Sequence, residues 1–380
     1  MPEYRRYELG SVCARLSSGK GIPASQVFNE GAFPVYGGNG LRGYTDHSNF
    51  RGDCAIIGRQ GAFCGNVRYF NGEAYMTEHA VVVCANECHN TRYLAYLLSQ
   101  MNLGRLSGQS AQPGLSVKTL AKQVIELPPL DVQNKVVVVL SSLDSKIALN
   151  EKINDNLEQQ IRSLFRVRFT DNPALEKMKQ VPLSDLCQIV TKGTTPTTLG
   201  KPFVKSGINF IKAESILDSH AIDKSKFAFI DEETNTLLKR SVIKAGDIVF
   251  TIAGTLGRFA LIDKNVLPAN TNQAVAIIRA DVEKVLPEYI YTCFIGEWHN
   301  HYYTKRVQQA VQANLSLTTI KSLPIPLLDE SEMVNFTKLI IPLIKMIKQN
   351  EVQNETLTLM RDTLLPKLMS GEIDVSAVQL

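Results

Sequence analysis

Arginine can grip the edge of guanine through two parallel hydrogen bonds, asparagine and glutamine can do the same for adenine, and glycine lets a backbone approach phosphate closely. Residues of these kinds gather in short loops of this chain. The run Tyr36-Gly37-Gly38-Asn39-Gly40-Leu41-Arg42-Gly43-Tyr44 joins flexible backbone to Asn39, Arg42 and two tyrosines, and Gly58-Arg59-Gln60-Gly61 and Arg68 follow it. Farther on, Lys192-Gly193-Thr194-Thr195-Pro196 and Gly254-Thr255-Leu256-Gly257-Arg258 have similar chemistry, and Lys305-Arg306 precedes Gln308-Gln309. With Lys20, Lys212, Gln109, Gln112 and Gln312 these make up the candidate DNA-contacting set, in which Arg59 and Arg258 are read as occupying comparable loops. Any one such loop is also an ordinary hairpin turn with a solvated arginine; it is their company that points to nucleic acid.

No reaction centre accompanies them. The sequence has no GxxxxGK[ST] loop, no GxGxxG after a strand, no HExxH and no Asn-Pro-Pro-aromatic tetrapeptide. His299-Asn300-His301 lacks the i,i+3 or i,i+4 spacing that presents two ligands on one helical face, and Glu78-His79 beside an apolar run reads as a sheet-edge pair. Cys84, Cys88 and His89 have helix-like spacing, but no CxxC pair occurs, so the seven cysteines are read as reduced thiols and no metal or cofactor is expected. No run approaches the roughly 20 apolar residues of a membrane helix, and the N-terminus runs into polar sequence, so the expected location is cytoplasmic, with no membrane partner.

The elements that position these loops come in two copies. Gln109, Gln112, Leu115 and Ser116 recur 200 positions later as Gln309, Gln312, Leu315 and Ser316; Leu127-Pro128-Pro129-Leu130-Asp131 answers Ile325-Pro326-Leu327-Leu328-Asp329. Earlier in each copy the offset shrinks to 194, where Gly52-Asp53 matches Gly246-Asp247 and the run from Ala80 to Val83 matches that from Ala274 to Ile277. Residues 1–130 and 171–323 are rich in glycine and short apolar runs, which predicts mixed α/β modules on curved sheet, with helical patches at Tyr93–Gln100 and Tyr289–Phe294. The chain's net charge of +4 averages opposing parts: +3 on residues 1–130, +1 on 131–170, +3 on 171–323 and −3 on 324–380. The modules are the basic parts.

Each module is followed by a heptad pattern. Val136, Leu140, Leu143, Ile147, Asn150, Asn154, Leu157, Ile161 and Leu164 alternate spacings of four and three, and Phe336, Ile340, Leu343, Ile347, Asn350, Asn354, Leu357, Arg361 and Leu364 share that register. An apolar stripe can pack on its own module. Paired asparagines in mid-seam cost stability unless they pair, and an antiparallel arrangement would bring Asn150 and Asn154 to Asn350 and Asn354. Roughly 30 residues at about 1.5 Å each would make a rod of about 45 Å. Pro342 predicts a kink or break in the second helix.

Over essentially its whole length the chain resembles the specificity subunits of type I restriction–modification systems. The resemblance is carried by Gln109-Ser110-Ala111-Gln112-Pro113-Gly114-Leu115-Ser116 leading through Leu127-Pro128-Pro129-Leu130-Asp131-Val132-Gln133 into the first helix, and by Leu364-Leu365-Pro366-Lys367-Leu368-Met369-Ser370-Gly371-Glu372-Ile373. The Pro34–Gly40 and Gly52–Gly65 stretches also fit the family's first-module pattern. The chain departs from an even repeat at Asn314 against Pro113-Gly114, and where Arg361 replaces the seam residue Ile161. The resemblance implies an α+β fold: target recognition domains at 1–130 and 171–323, each followed by a long helix, at 131–170 and 324–380, the two helices packed as an antiparallel coiled coil with pseudo-twofold symmetry. It implies a non-catalytic subunit in which each domain reads one half of a bipartite double-stranded DNA target. The helices would set the spacing, recruit two methyltransferase subunits and be joined by restriction/translocase subunits. The alternative is an assembly scaffold whose modules bind protein rather than DNA.

Overall fold

The computed structural model describes residues 3–107, 114–172, 178–300 and 315–375. The chain divides into two compact units, Met1–Ile147 with Glu355–Leu380, and Ala148–Asn354.

In the first unit a six-stranded sheet has the order β2-β7-β5-β6-β3-β4, from β2 (Cys13–Ser18), β3 (Phe33–Gly37), β4 (Gly40–Thr45), β5 (Phe50–Gly58), β6 (Val67–Met76) and β7 (Ala80–Ala85). Its pairs are antiparallel except β3 with β6. Separately, β1 (Arg5–Glu8) pairs with β8 (Val124–Leu127). The apolar run of β7 is buried on both faces because the sheet has a core on each side. Ala55, Ile57, Val81 and Val83 join Tyr93, Leu94 and Leu98 of helix α1 (Thr91–Gln100), while Cys54, Ile56, Ala80 and Val82 join Phe50 and Met76 on the other face. This is the period-two alternation of a strand read out in two clusters.

The second unit has β10 (Cys187–Lys192), β16 (Val275–Ala280), β13 (Ile248–Thr251) and β14 (Phe259–Leu261) in that order across its main sheet. The register repeats that of the first unit: Ala55↔Val83, Ile56↔Val82 and Ile57↔Val81 become Val249↔Ile277, Phe250↔Ala276 and Thr251↔Val275. Flanking pieces repeat too. Strand β9 (Gln180–Pro182) pairs with β17 (Pro324–Pro326) as β1 does with β8, and Leu183 N–H donates to Leu323 O as Leu9 N–H does to Gln123 O. Ser116 and Ser316 cap helices α2 (Val117–Ala121) and α6 (Leu317–Lys321), each accepting the N–H three residues on, from Thr119 at 2.9 Å and from Thr319 at 3.0 Å. The helical patch expected at Tyr289–Phe294 is α5 (Pro287–Ile295). The second unit's β11 (Ile208–Ile211), β12 (Ala228–Ile230) and β15 (Ala269–Thr271) form a separate three-stranded sheet whose parallel pairs Asn209↔Ala269 and Phe210↔Asn270 answer Val35↔Tyr75 and Tyr36↔Met76; the units differ in the longer chain that joins β11 to β12, with helix α4 (Glu232–Leu237) following it.

Two long helices, α3 (Leu130–Phe165) and α7 (Glu330–Met369), contribute to both units. Within the second, Asn150 Nδ2 donates to Asn354 Oδ1 at 2.8 Å and to Gln353 Oε1 at 2.7 Å, and Asn350 Nδ2 donates to Asn154 Oδ1 at 2.8 Å. Those crossed partners require antiparallel helices, and Leu157 and Ile161 accordingly share a core with Phe336, Ile340, Ile344 and Ile347. Within the first, Val136 and Leu140 share a core with Leu365 and Leu368, and Arg361 reaches Asp144 at 3.2 Å. Of the remaining expected seam residues, Leu143, Ile147, Leu343 and Leu357 are half-buried. The expected break at Pro342 does not occur: α7 is continuous through it. Pro342 and Lys338 are both exposed, so the carbonyl that loses its helical donor lies on the wet side of the helix.

Candidate nucleic-acid interface

In the first unit the predicted residues are brought together by backbone crossings. Gly19 sits so close to the β6–β7 turn that a Cβ there would stand 2.0 Å from Met76 O, and the next residue, Lys20, donates its N–H to that carbonyl at 2.9 Å. Thr77 N–H in the same turn donates to Tyr36 O, which ties the turn to the β3–β4 hairpin. A Cβ at Gly58 would meet Gly38 O at 2.5 Å, so only glycine lets the hairpin tip lie against the end of β5. There Arg59 is held by its backbone alone, N–H to His79 O at 2.9 Å and O from Leu115 N–H at 2.8 Å, and Gln60 bridges to Gly114.

Four cations gather at this loop cluster, beside the Glu78–His79 pair of the β6–β7 turn, 3.2 Å apart. Lys20, Arg42 and Arg68 are exposed and Arg59 is half-buried. None of the four has an ion pair or a side-chain hydrogen bond among the described residues, whereas Arg5, Arg6, Arg51 and Arg92 of the same unit all have acidic partners. The Arg68 guanidinium lies over Gly40, and Arg42 runs along Gly37. Asn39 is exposed at the hairpin tip. The Tyr36 ring lies against Phe70, centroids 5.1 Å apart and tilted by 59°; burial and then Tyr44 push its hydroxyl up, and Arg68 pulls it back. Tyr44 lies farther along the hairpin, paired with Pro34 and bridged to Phe28. Gln109 and Gln112 lie outside the described residues.

The second unit repeats the crossing with other side chains. A Cβ on Gly193 would stand 1.8 Å from Thr271 O, so Gly193 is the counterpart of Gly19. Lys192 is exposed; Thr194 Oγ1 accepts from Arg240 at 3.4 Å, and Thr195 Oγ1 donates to Gln273. Lys212 follows β11, whose Ile211 pairs with Thr271, and its ammonium is 3.3 Å from Glu214. Lys305, Arg306, Gln309 and Gln312 lie outside the described residues.

Arg258 is not the counterpart of Arg59. The carbonyl that accepts from Leu315 N–H, as Arg59 O does from Leu115, belongs to Ile252. Arg258 comes six residues later, and its guanidinium is taken up by Asp218, two bonds of 2.6 Å, and by Ile216 O at 3.2 Å. Sequence reasoning passed over Arg240 and Gln273, and read His79 only as the partner of Glu78, which lies 3.2 Å away. The signal was present, because His79 and Gln273 are related by the same offset of 194 as the flanking strands.

Behind each cluster, acidic groups on α3 meet the module. Asp144 accepts from Arg92 of α1 at 3.3 Å, from Tyr96 of α1, and from Arg361 of α7. Glu158 binds Arg162 at 2.7 Å and lies 3.6 Å from His220 Nε2; Arg162 in turn binds Glu297. Burial pushes the Glu158 carboxyl up, but His220 and Arg162 outweigh it and hold the group below the usual carboxylate range. Burial drives His299 nearby down to about 3, so that ring stays neutral. Among the described residues no cluster of His, Cys, Asp and Glu could hold a metal ion, and no helix is long and apolar enough to cross a membrane.

The profile of the type I restriction modification DNA specificity domain matches residues 1–159 and again 175–356. The chain is 35% identical over 147 residues to the EcoprrI specificity subunit of a type I restriction enzyme from Escherichia coli, a match covering 38% of this chain and 36% of that one. It is 24% identical over 341 residues to the HindI specificity subunit of Haemophilus influenzae, covering 69% and 71%. In fold it is similar to the crystal structure of a type I restriction-modification S subunit from M. genitalium, with a TM-score of 0.61 at 17% identity over 97% of this chain and 96% of that one.

Proposed function

The chain belongs to the family of type I restriction modification DNA specificity domains, and from that premise we propose that it is the sequence-specificity subunit of a type I restriction–modification complex. Residues 1–130 and 171–323 act as the two recognition modules, each reading one half of a bipartite double-stranded DNA target. Residues 131–170 and 324–380 supply the helices that set the spacing, recruit two methyltransferase subunits and receive restriction/translocase subunits. The chain itself is non-catalytic, takes no cofactor and works in the cytoplasm.

The observation that carries this reading is the repeated glycine crossing with unpaired cations beside it. Among the described residues Lys20, Arg42, Arg59 and Arg68 have no acidic partner, in a chain that pairs many of its other surface arginines. Unpaired cations on exposed loops are what phosphate contact requires, and the asparagine, glutamine and arginine side chains among them can address base edges. A scaffold whose modules bind protein would have no need of them. The test is a footprint of the complex with its methyltransferase subunits on DNA. Protection at two half-sites separated by unprotected base pairs is expected, and one contiguous site would overturn the reading.

A further inference from the structure

The apolar seam and the module cores hold each module against the helices, but apolar contact is non-directional and tolerates rocking. Charged hydrogen bonds do not, because their geometry is fixed. Helix α3 carries one such contact in each unit. In the first, Asp144 ties Arg92 and Tyr96 of the module to Arg361 of α7. In the second, Glu158 accepts from Arg162, whose guanidinium also donates to Glu297 of the module, and His220 Nε2 lies 3.6 Å from the same carboxyl, beyond hydrogen-bond distance. His220 is placed for this role at some cost. It has a left-handed backbone, φ 61°, and its ring stacks on Phe259 at 3.9 Å. Its turn is braced from the opposite side by the Asp218–Arg258 pair.

We infer that Asp144 and Glu158 are positioning residues that fix each recognition module at one angle on its helices, and that they thereby restrict the complex to a single spacer length between half-sites. The inference rests on the bipartite DNA reading above. A module free to rock would carry its loops along the duplex, where one base pair is about 3.4 Å, a small displacement at the end of a domain. Contacts within each half-site would be unaffected.

The experiment selects target duplexes from a randomised pool with the full wild-type complex, then measures affinity for duplexes whose spacer is one or two base pairs longer or shorter. With Glu158→Gln, discrimination between the selected spacer and its neighbours should fall by about tenfold, with base preference in both half-sites unchanged. Asp144→Asn should do the same. If Glu158→Gln lowers the thermal unfolding midpoint too far to use, His220→Asn, which tolerates the left-handed backbone, removes the module's histidine from the contact and leaves Glu158–Arg162–Glu297 in place. Wild-type complex that selects no bipartite target would sink the DNA reading itself. Bipartite selection with spacer discrimination untouched in the folded variants would overturn the positioning role alone.

Discussion

Arg258 gives its guanidinium nitrogens to Asp218 and Ile216 O, while Arg59, in a loop of similar composition, keeps its own free of partners among the described residues. Composition alone could not separate the two. The difference arises from chain lying between them in space: Asp218 is 40 residues from Arg258 in sequence, in a turn that the second module alone inserts. The fold therefore separates their mutational effects. Arg59→Ala should weaken binding of the complex to its DNA target by roughly 1–3 kcal/mol, the range for a base contact, and leave unfolding unchanged. Arg258→Ala should lower the thermal midpoint and leave base preference alone. Binding isotherms beside melting curves check both, and a binding loss of equal size from both variants would contradict the assignment. The glycines were legible in kind though not in role: Gly19 and Gly193 look like turn residues in sequence, and their need for a missing Cβ appears only when the β6–β7 turn and its counterpart are laid across them.

At the scale of elements, the offset of 194 foretold a shared strand register, and Ala55↔Val83 and Val249↔Ile277 have it. What the repeat could not foretell is the longer chain between β11 and β12 of the second unit, which lies where the offset widens from 174 at Tyr36 and Phe210 to 194 at Gly52 and Gly246. The heptads placed both long helices, and the seam asparagines paired as their spacing required. The break allowed for at Pro342 is absent because a proline's cost depends on whether the freed carbonyl is buried, and burial is not a local property. Arg361, the charged exception in the second heptad run, faces Asp144, while its counterpart Ile161 shares a core with Ile344, the counterpart of Asp144. One facing pair is thus ionic and the other apolar. Arg361→Ile alone leaves Asp144 with Arg92 and Tyr96 as partners and should cost roughly 1–2 kcal/mol, reduced from the figure for a fully buried charge because both groups keep about a quarter of their side chains exposed. Asp144→Ile with Arg361→Ile recreates the apolar pair and should recover most of that loss. Chemical denaturation of the four proteins of this cycle reads the coupling, and simple additivity would refute it.

For the molecule as a whole, a net charge of +4 conceals where attraction for DNA resides. Each phosphate contact releases counterions, so the slope of log affinity against log salt counts the cations that touch the backbone. Replacing Lys20 or Arg68 with Ala should make that slope shallower by about one and weaken all sequences alike, whereas Glu3→Gln, on a residue outside the loop cluster, should leave it unchanged. A salt titration of the intact complex decides this, and an unaltered slope in both loop variants would remove them from the interface. The two-module plan was legible because duplication writes the fold twice. The composition of the loop cluster was legible as well, but which cations are spent internally depends on contacts between distant segments.

The unequal facing pairs carry a consequence for heredity. The two halves of the helix pair are not interchangeable. A chain assembled from two first halves would set Asp144 against Ile161, and one assembled from two second halves would set Arg361 against Ile344. In both, a charge would face an isoleucine at two places instead of finding its partner at one. The duplicated halves have diverged into a lock and a key, and descent must now keep one of each.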